Sequence, residues 1–268
     1  LHCLFRRDGM AGTALVLCAH ADDTEFFAGG TVARMIAEGW TVHEVIATDN
    51  GKGSFELPAA ELVARSRDLE ARAVAEFLGK ASVEFLGYPD GDLGAVPVLE
   101  LRGRMMEAIR RHRPDRLLTF DAFAPFEPHP DHRAVAWAAL EAVSFSHFPL
   151  YYPEHLERGL RPHLVPERLY FAKSPLHFDH FVDVSAFLEK KIDALCLHES
   201  QMRLTVQDLK AGLLAAGASS ELLPLLDPDH YRPAIGFLVR EWARRIGERC
   251  GLDAAEGFRR ETTADILG

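Results

Sequence analysis

The chain alternates short apolar runs with amphipathic stretches through its first 145 residues. Thr13 to Ala19 (TALVLCA) is a continuous apolar run, the pattern of a strand buried on both faces of a parallel sheet. It stops at His20. Phe26 to Gly39 carries Phe27, Val32, Met35 and Ile36 at helical spacing, with Asp23 or Thr24 as N-cap and Gly39 as terminator. Thr41 to Thr48 predicts a second strand running into the turn-rich Asp49 to Ser54. The pattern continues with a long helix over Leu57 to Leu78, a strand over Ser82 to Leu86, a loop over Gly87 to Gly94 and a helix over Val98 to His112. A fourth strand, Arg116 to Phe120, is followed by a loop over Asp121 to Pro130 and a helix over Asp131 to Val143.

Beyond residue 145 the rhythm weakens. Leu164 to Ala172 and Phe181 to Val184 read as strands, and Ala186 to His198, Leu204 to Ala216 and Ala234 to Arg249 as helices. Strands alternating with helices predict an α/β fold, a Rossmann-like three-layer sandwich with a mostly parallel sheet and a C-terminal elaboration. No linker rich in Pro, Gly or Ser divides the chain, so residues 10–268 are expected to form one domain. Residues 1–9 read as an upstream or disordered segment, with Met10 a candidate start.

Composition narrows the function classes. Hydrophobic content of 48% with 26% charged residues is that of a globular protein. A formal charge of -10 disfavours nucleic acid and anionic membrane surfaces as partners. No apolar stretch nears the roughly twenty residues that span a bilayer. The scattered Cys3, Cys18, Cys196 and Cys250 read as reduced thiols of a cytoplasmic protein.

Ligands of open α/β sheets bind beyond the carboxyl ends of the strands, where strand order reverses. The loops at His20 to Asp23, Asp49 to Lys52, Gly87 to Asp92 and Asp121 to His132 all follow strands and are expected at one edge. There, Ala19-His20-Ala21-Asp22-Asp23 is answered by His129-Pro130-Asp131-His132. His20, Asp23 and His132 supply the nitrogen and carboxylate ligands of a catalytic zinc site, and Fe2+ or Co2+ would suit the same set. Asp22 is then free to take a proton from water. His129 is placed to stabilise an oxyanion or protonate a leaving amine, and Asp131 to orient a histidine. Taken alone, each motif has a plainer reading: Asp22-Asp23 as a helix N-cap, His-x-x-His as a chance spacing. Their meeting at one predicted edge favours the metal. His198 reads as a hydrogen-bonded structural histidine, and Lys52 in Asn50-Gly51-Lys52-Gly53 lacks the rest of a phosphate loop.

These residues resemble the LmbE-like, or PIG-L, family of zinc-dependent N-acetylglucosaminyl deacetylases. The family's first motif, Ala-His-Pro-Asp-Asp followed by a glutamate, is matched by residues 19–25 except that Ala21 stands for proline. His-Pro-Asp-His is unaltered at 129–132. The similarity extends through Thr48-Asp49-Asn50-Gly51, Arg67 with Glu70 and Leu78-Gly79, Tyr88-Pro89-Asp90-Gly91, Val182-Asp183-Val184-Ser185, His198-Glu199-Ser200-Gln201 and Ala255-Glu256-Gly257-Phe258-Arg259. It implies His20, Asp23 and His132 as zinc ligands, Asp22 as general base and His129 as its electrostatic or acid partner. It also implies that Arg67 and Asp90 contact substrate hydroxyls, although Arg67 equally suits a solvated helix cation and Asp90 a turn. Alanine at position 21 loosens φ at the metal turn. The implied substrate is a small N-acetylated amino sugar, free or in a short oligosaccharide, and a homo-oligomer is compatible with the family. The competing functions are an amidase for another acylated amino sugar, antibiotic or thiol conjugate, and a metal-dependent sugar-binding protein without turnover.

Overall fold

Five strand segments that lie side by side explain why the apolar runs are continuous: strands flanked by neighbours and covered on both faces have no solvent side to alternate towards. The computed structural model describes residues 11–217 and 222–266, so the N-terminal segment, Met10 and Cys3 lie outside the described residues. The strands are β1 (Thr13–Cys18), β2 (Thr41–Thr48), β3 (Ser82–Tyr88), β4 (Arg116–Phe120), β5 (Glu167–Phe171), β6 (His180–Asp183) and β7 (Ala255–Thr262). They form one sheet in the order β3-β2-β1-β4-β5-β7-β6. The pairings from β3 to β5 are parallel, whereas β7 runs antiparallel to both β5 and β6.

Helices α1 (Asp23–Ala37), α2 (Ala59–Arg65), α3 (Ala71–Leu78), α4 (Val98–His112) and α5 (Pro130–Phe145) connect the parallel strands. The short α6 (Pro153–Glu157), then α7 (Leu188–Cys196), α8 (Glu199–Ala215) and α9 (Arg232–Glu248), belong to the C-terminal half. The α/β architecture with helices on both sides of a mostly parallel sheet is therefore the one the apolar pattern predicts. Its core runs through β1, β2, β4 and β5 and the inward faces of α1, α4 and α5. A second apolar cluster joins α7, α8 and α9.

Some local features differ from the sequence pattern. The helix expected over Leu57 to Leu78 is interrupted by a π turn at Ser66–Glu70 between α2 and α3. The strand β7, sandwiched between β5 and β6, was not predicted. And α1 begins at Asp23 rather than Phe26, with Asp22 as its N-cap residue and no side-chain cap. The C-terminal strand is tied to α1: Gly30 and Thr31 donate their N–H groups to Glu256, at 2.9 and 2.7 Å. A Cβ on Gly30 would sit 2.7 Å from the Val184 Cβ, so only glycine permits this approach.

Among the described residues, no helix is long and apolar enough to cross a membrane. Strand order reverses between β2 and β4, on either side of β1. The carboxyl ends of β1 and β4 thus open the crevice where an open α/β sheet takes its ligand.

Candidate active site

The four loops after β1, β2, β3 and β4 meet at that crevice and are stitched together by main-chain hydrogen bonds. Asp49 N donates to the Tyr88 carbonyl at 2.8 Å, and Asp90 N donates to Asp49 Oδ1 at 3.1 Å. Asp131, wholly buried at the start of α5, accepts from Gly91 N at 2.6 Å and Leu93 N at 3.1 Å. The turn at Ala21 gains a restraint that a proline there could not supply. Ala21 N donates to Asn50 Oδ1 at 3.1 Å, and Asn50 itself takes the left-handed conformation that asparagine tolerates. The looseness expected of alanine is offset by this bond.

His20, Asp23 and His132 converge. His20 Nδ1 lies 3.2 Å from His132 Nε2, and Asp23 Oδ1 lies 3.2 Å from that same His132 Nε2. Asp23 Oδ2 lies 3.5 Å from His20 Nδ1. Donor atoms held tetrahedrally at zinc–ligand distances of about 2.0–2.1 Å sit roughly 3.3 Å apart, so this spacing fits a divalent ion. The other nitrogen of His20 faces acids: Nε2 is 3.2 Å from Asp90 Oδ1 and 3.4 Å from Asp131 Oδ2. Two sets of donors could therefore hold a metal around His20, one with His129 and His132 and one with Asp90 and Asp131.

Backbone chemistry separates them from the first triad. Asp23 is not the helix cap expected of it. Its Oδ2 instead accepts from Ala19 N at 3.0 Å and His20 N at 2.7 Å, which leaves Oδ1 directed at His132. Asp131 is committed to two N–H groups, and Asp90 Oδ2 accepts from Lys52 N at 3.0 Å. Asp90 lies in the cluster, its carboxylate shared between His20 and Lys52 N. Arg67 is not brought to the cluster. The π turn leaves its guanidinium exposed, where it donates to the adjacent Asp68 at 2.9 and 3.0 Å.

Charge follows the same plan. Burial alone would lower the His20 pKa, yet Asp23, Asp131 and Asp90 raise it well above the ordinary histidine value. Burial opposes the ionised form of Asp23, yet His132 and His20 hold it well below the carboxylate range. The pocket calls for positive charge at these nitrogens, which a proton or a divalent ion can supply. Asp22, half-buried beside them, is pushed up to about 6 by burial and by the Asp23 carboxylate. His129 caps α5, its Nδ1 accepting from Asp131 N at 3.2 Å. Its ring packs edge-on against His20 at 4.6 Å and stacks on His132 at 4.5 Å.

Behind the site lies a buried ionic network that the sequence did not reveal. Lys80 Nζ bridges Glu25 Oε1 at 2.6 Å and Glu44 Oε2 at 2.7 Å, with Thr24 Oγ1 also donating to Glu44. His198 Nε2 lies 3.2 Å from Glu25 Oε2, so His198 is hydrogen-bonded as expected, although its buried Nδ1 has no hydrogen-bond partner among the described residues. Only the Glu25 end was visible in the sequence, as the residue that closes the first motif. Lys80→Met leaves two buried carboxylates without their cation. It is expected to cost about 3–5 kcal/mol of stability in urea denaturation, as for other buried pairs broken from one side. A loss below about 1 kcal/mol would show that the carboxylates find other compensation.

Comparisons with known proteins identify the family. The family model described as PIG-L, GlcNAc-PI de-N-acetylase, matches residues 15–143, which run from within β1 to within α5 and hold every member of the His20 cluster. A diacetylchitobiose deacetylase of Thermococcus kodakarensis is 34% identical over 199 residues, 72% of each chain. The 1D-myo-inositol 2-acetamido-2-deoxy-alpha-D-glucopyranoside deacetylase of Mycobacteroides abscessus is 29% identical over 258 residues, covering 81% of this chain and 90% of its own length. The solved N,N'-diacetylchitobiose deacetylase of Pyrococcus horikoshii matches with a TM-score of 0.76 at 26% identity, over 93% of this chain and 84% of its own. With both motifs present, one converged site and these likenesses over most of its length, the chain belongs to the PIG-L, or LmbE-like, family of de-N-acetylases.

Proposed function

We propose that this protein is a metal-dependent N-deacetylase that hydrolyses the acetamide of an N-acetylglucosamine-containing small molecule or short oligosaccharide. The observation that carries the reading is the convergence of His20 Nδ1, His132 Nε2 and the Asp23 carboxylate, with Oδ1 3.2 Å from His132 Nε2 and Oδ2 3.5 Å from His20 Nδ1, and with Asp22 the neighbouring residue. These three residues would hold the ion, with zinc as the first expectation and Fe2+ or Co2+ compatible with the same donors. When bound, a divalent ion supplies a Lewis acid that polarises the amide carbonyl and acidifies water.

The remaining work falls to side chains. Asp22 accepts a proton from water as the oxygen attacks the acetyl carbon, then returns it to the departing nitrogen. His129 acts on the developing oxyanion. Its Nδ1 accepts the Asp131 N–H, which leaves the ring proton on Nε2 as a hydrogen-bond donor. Asp131 and Asp90 hold His20 by Nε2, keeping Nδ1 for the ion. Breaking the C–N bond gives acetate and a free amino sugar, with one water consumed.

The diacetylchitobiose and inositol-linked N-acetylglucosamine deacetylases among the relatives support this substrate class. The test is acetate release by metal-loaded protein from N-acetylglucosamine, its β-linked disaccharide and inositol-linked N-acetylglucosamine, each with and without chelator. Chelator-sensitive turnover of at least one is expected. A chain that binds stoichiometric metal yet releases acetate from none of them, nor from longer-acyl analogues, is a binding protein and not this enzyme.

A further inference from the structure

Glu127 lies in the loop between β4 and α5, five residues before His132 and in a segment otherwise rich in Pro and Phe. Its Oε1 draws three groups together. It lies 3.2 Å from His132 Nδ1, accepts from His129 N at 3.0 Å, and accepts from Lys173 Nζ at 3.0 Å. The contact with His132 is a close approach and not a directed hydrogen bond, and among the described residues that buried nitrogen has no hydrogen-bond partner. His132 turns its second nitrogen, Nε2, to Asp23 and His20.

A neutral imidazole has one proton and one lone pair, and whatever faces one nitrogen decides what the other can do. A carboxylate at Nδ1 retains the proton there and leaves the Nε2 lone pair directed into the cluster. The same device serves His20 with the nitrogens exchanged, since Asp90 and Asp131 face Nε2 and Nδ1 points inward. The loops and the start of α5 thus supply outer carboxylates to both histidines, Asp90 and Asp131 to His20 and Glu127 to His132. The plane of His132 is fixed further by Phe120, stacked on it at 4.1 Å.

We infer that Glu127 is the positioning residue that fixes the tautomer and ring orientation of His132, and thereby sets the affinity of the metal centre. Through the His129 N–H the same oxygen also anchors the start of α5, so one carboxylate registers both histidines of the second motif. Lys173, half-exposed at the end of β5, contributes as a counter-charge from the side remote from the cluster. This inference rests on the metal reading above.

Cobalt(II) titration of chelator-stripped protein tests it, because the visible d–d bands report both affinity and ligand geometry. The wild type is expected to bind one ion per chain with a low-coordinate spectrum. Glu127→Ala is expected to weaken binding by roughly 10–100-fold and to alter the bands, as for other outer partners of metal-bound histidines. Glu127→Gln, which keeps an acceptor for His129 N but not the charge, should fall between. Lys173→Met keeps Glu127 beside His132 and should stay within about threefold of the wild type, the scale of a part-exposed ion pair. A wild type that binds no metal overturns the metal reading itself. A wild type that binds while both Glu127 variants match its affinity and spectrum overturns the role of Glu127 alone. Should the variants fail to fold, long-range 1H–15N spectra of the zinc-loaded wild type decide: His132 metallated at Nε2 and protonated at Nδ1 is expected, and the reverse overturns the inference.

Discussion

Asp22→Asn is expected to lower kcat by roughly 10²–10⁴-fold while metal content and KM stay near parental values. The substitution is nearly isosteric and removes only the ability to hold a proton. Asp22 is the N-cap residue of α1, but its side chain makes no capping bond, and its carbonyl, which accepts from Phe26 N at 3.0 Å, is unaffected. The helix therefore has no reason to shift, and Asp23 keeps its bonds to Ala19 N and His20 N. A carboxylate raised to about 6 by burial and by Asp23 is a stronger base than an ordinary aspartate, yet remains mostly ionised at neutral pH. Asparagine has neither property. A variant with normal metal and parental acetate release would remove Asp22 from the role of base.

The residues that act together here were legible to unequal degrees. Strands β1, β2 and β4 and helix α4 could be read because central parallel strands are nearly unbroken apolar runs and α4 is bracketed by Pro97 and Pro114. The two motifs could be read because each is local, and placing them at strand ends brought them to one edge. Strand β7 was missed for a physical reason: in AEGFRRET only the first four residues are buried, and its charges serve contacts remote in sequence. Glu256 binds the α1 backbone, and Arg259 donates to Asp121 at 3.0 and 3.1 Å. The π turn was invisible for a different reason. One extra residue per turn leaves the apolar pattern of Leu57 to Leu78 almost intact, yet turns Arg67 outward and Glu70 inward, where it accepts from Ser200. Glu127 belongs to neither pattern. It is a single acid in an irregular loop, and only its distance to His132 discloses it.

At Asp23 two substitutions are expected to separate metal binding from folding. Asp23→Ala removes the carboxylate that faces His132 Nε2 and also strands the N–H groups of Ala19 and His20, both buried at the end of β1. It should lose metal affinity by more than roughly the 10–100-fold seen for outer partners, and each unsatisfied N–H should cost about 1–3 kcal/mol of stability. Asp23→Asn behaves differently, because its amide oxygen can still accept from the two N–H groups while its amide nitrogen meets His132 in place of the ligand oxygen. Metal and turnover should be lost as in the alanine variant, with stability within about 1 kcal/mol of the parent. The stability measurements belong in chelator, since a bound ion that prefers the folded state would add its own binding free energy to the parent alone. Should Asp23→Ala retain stoichiometric metal, the ion sits in one of the other donor sets around His20, and the acids Asp90 and Asp131 become ligands rather than supports. If instead Asp23→Asn proves as unstable as Asp23→Ala, charge matters more than hydrogen bonding at this turn. The low proton affinity of Asp23 between His132 and His20 would then be the stabilising feature, present at neutral pH and lost only as acid titrates the carboxylate.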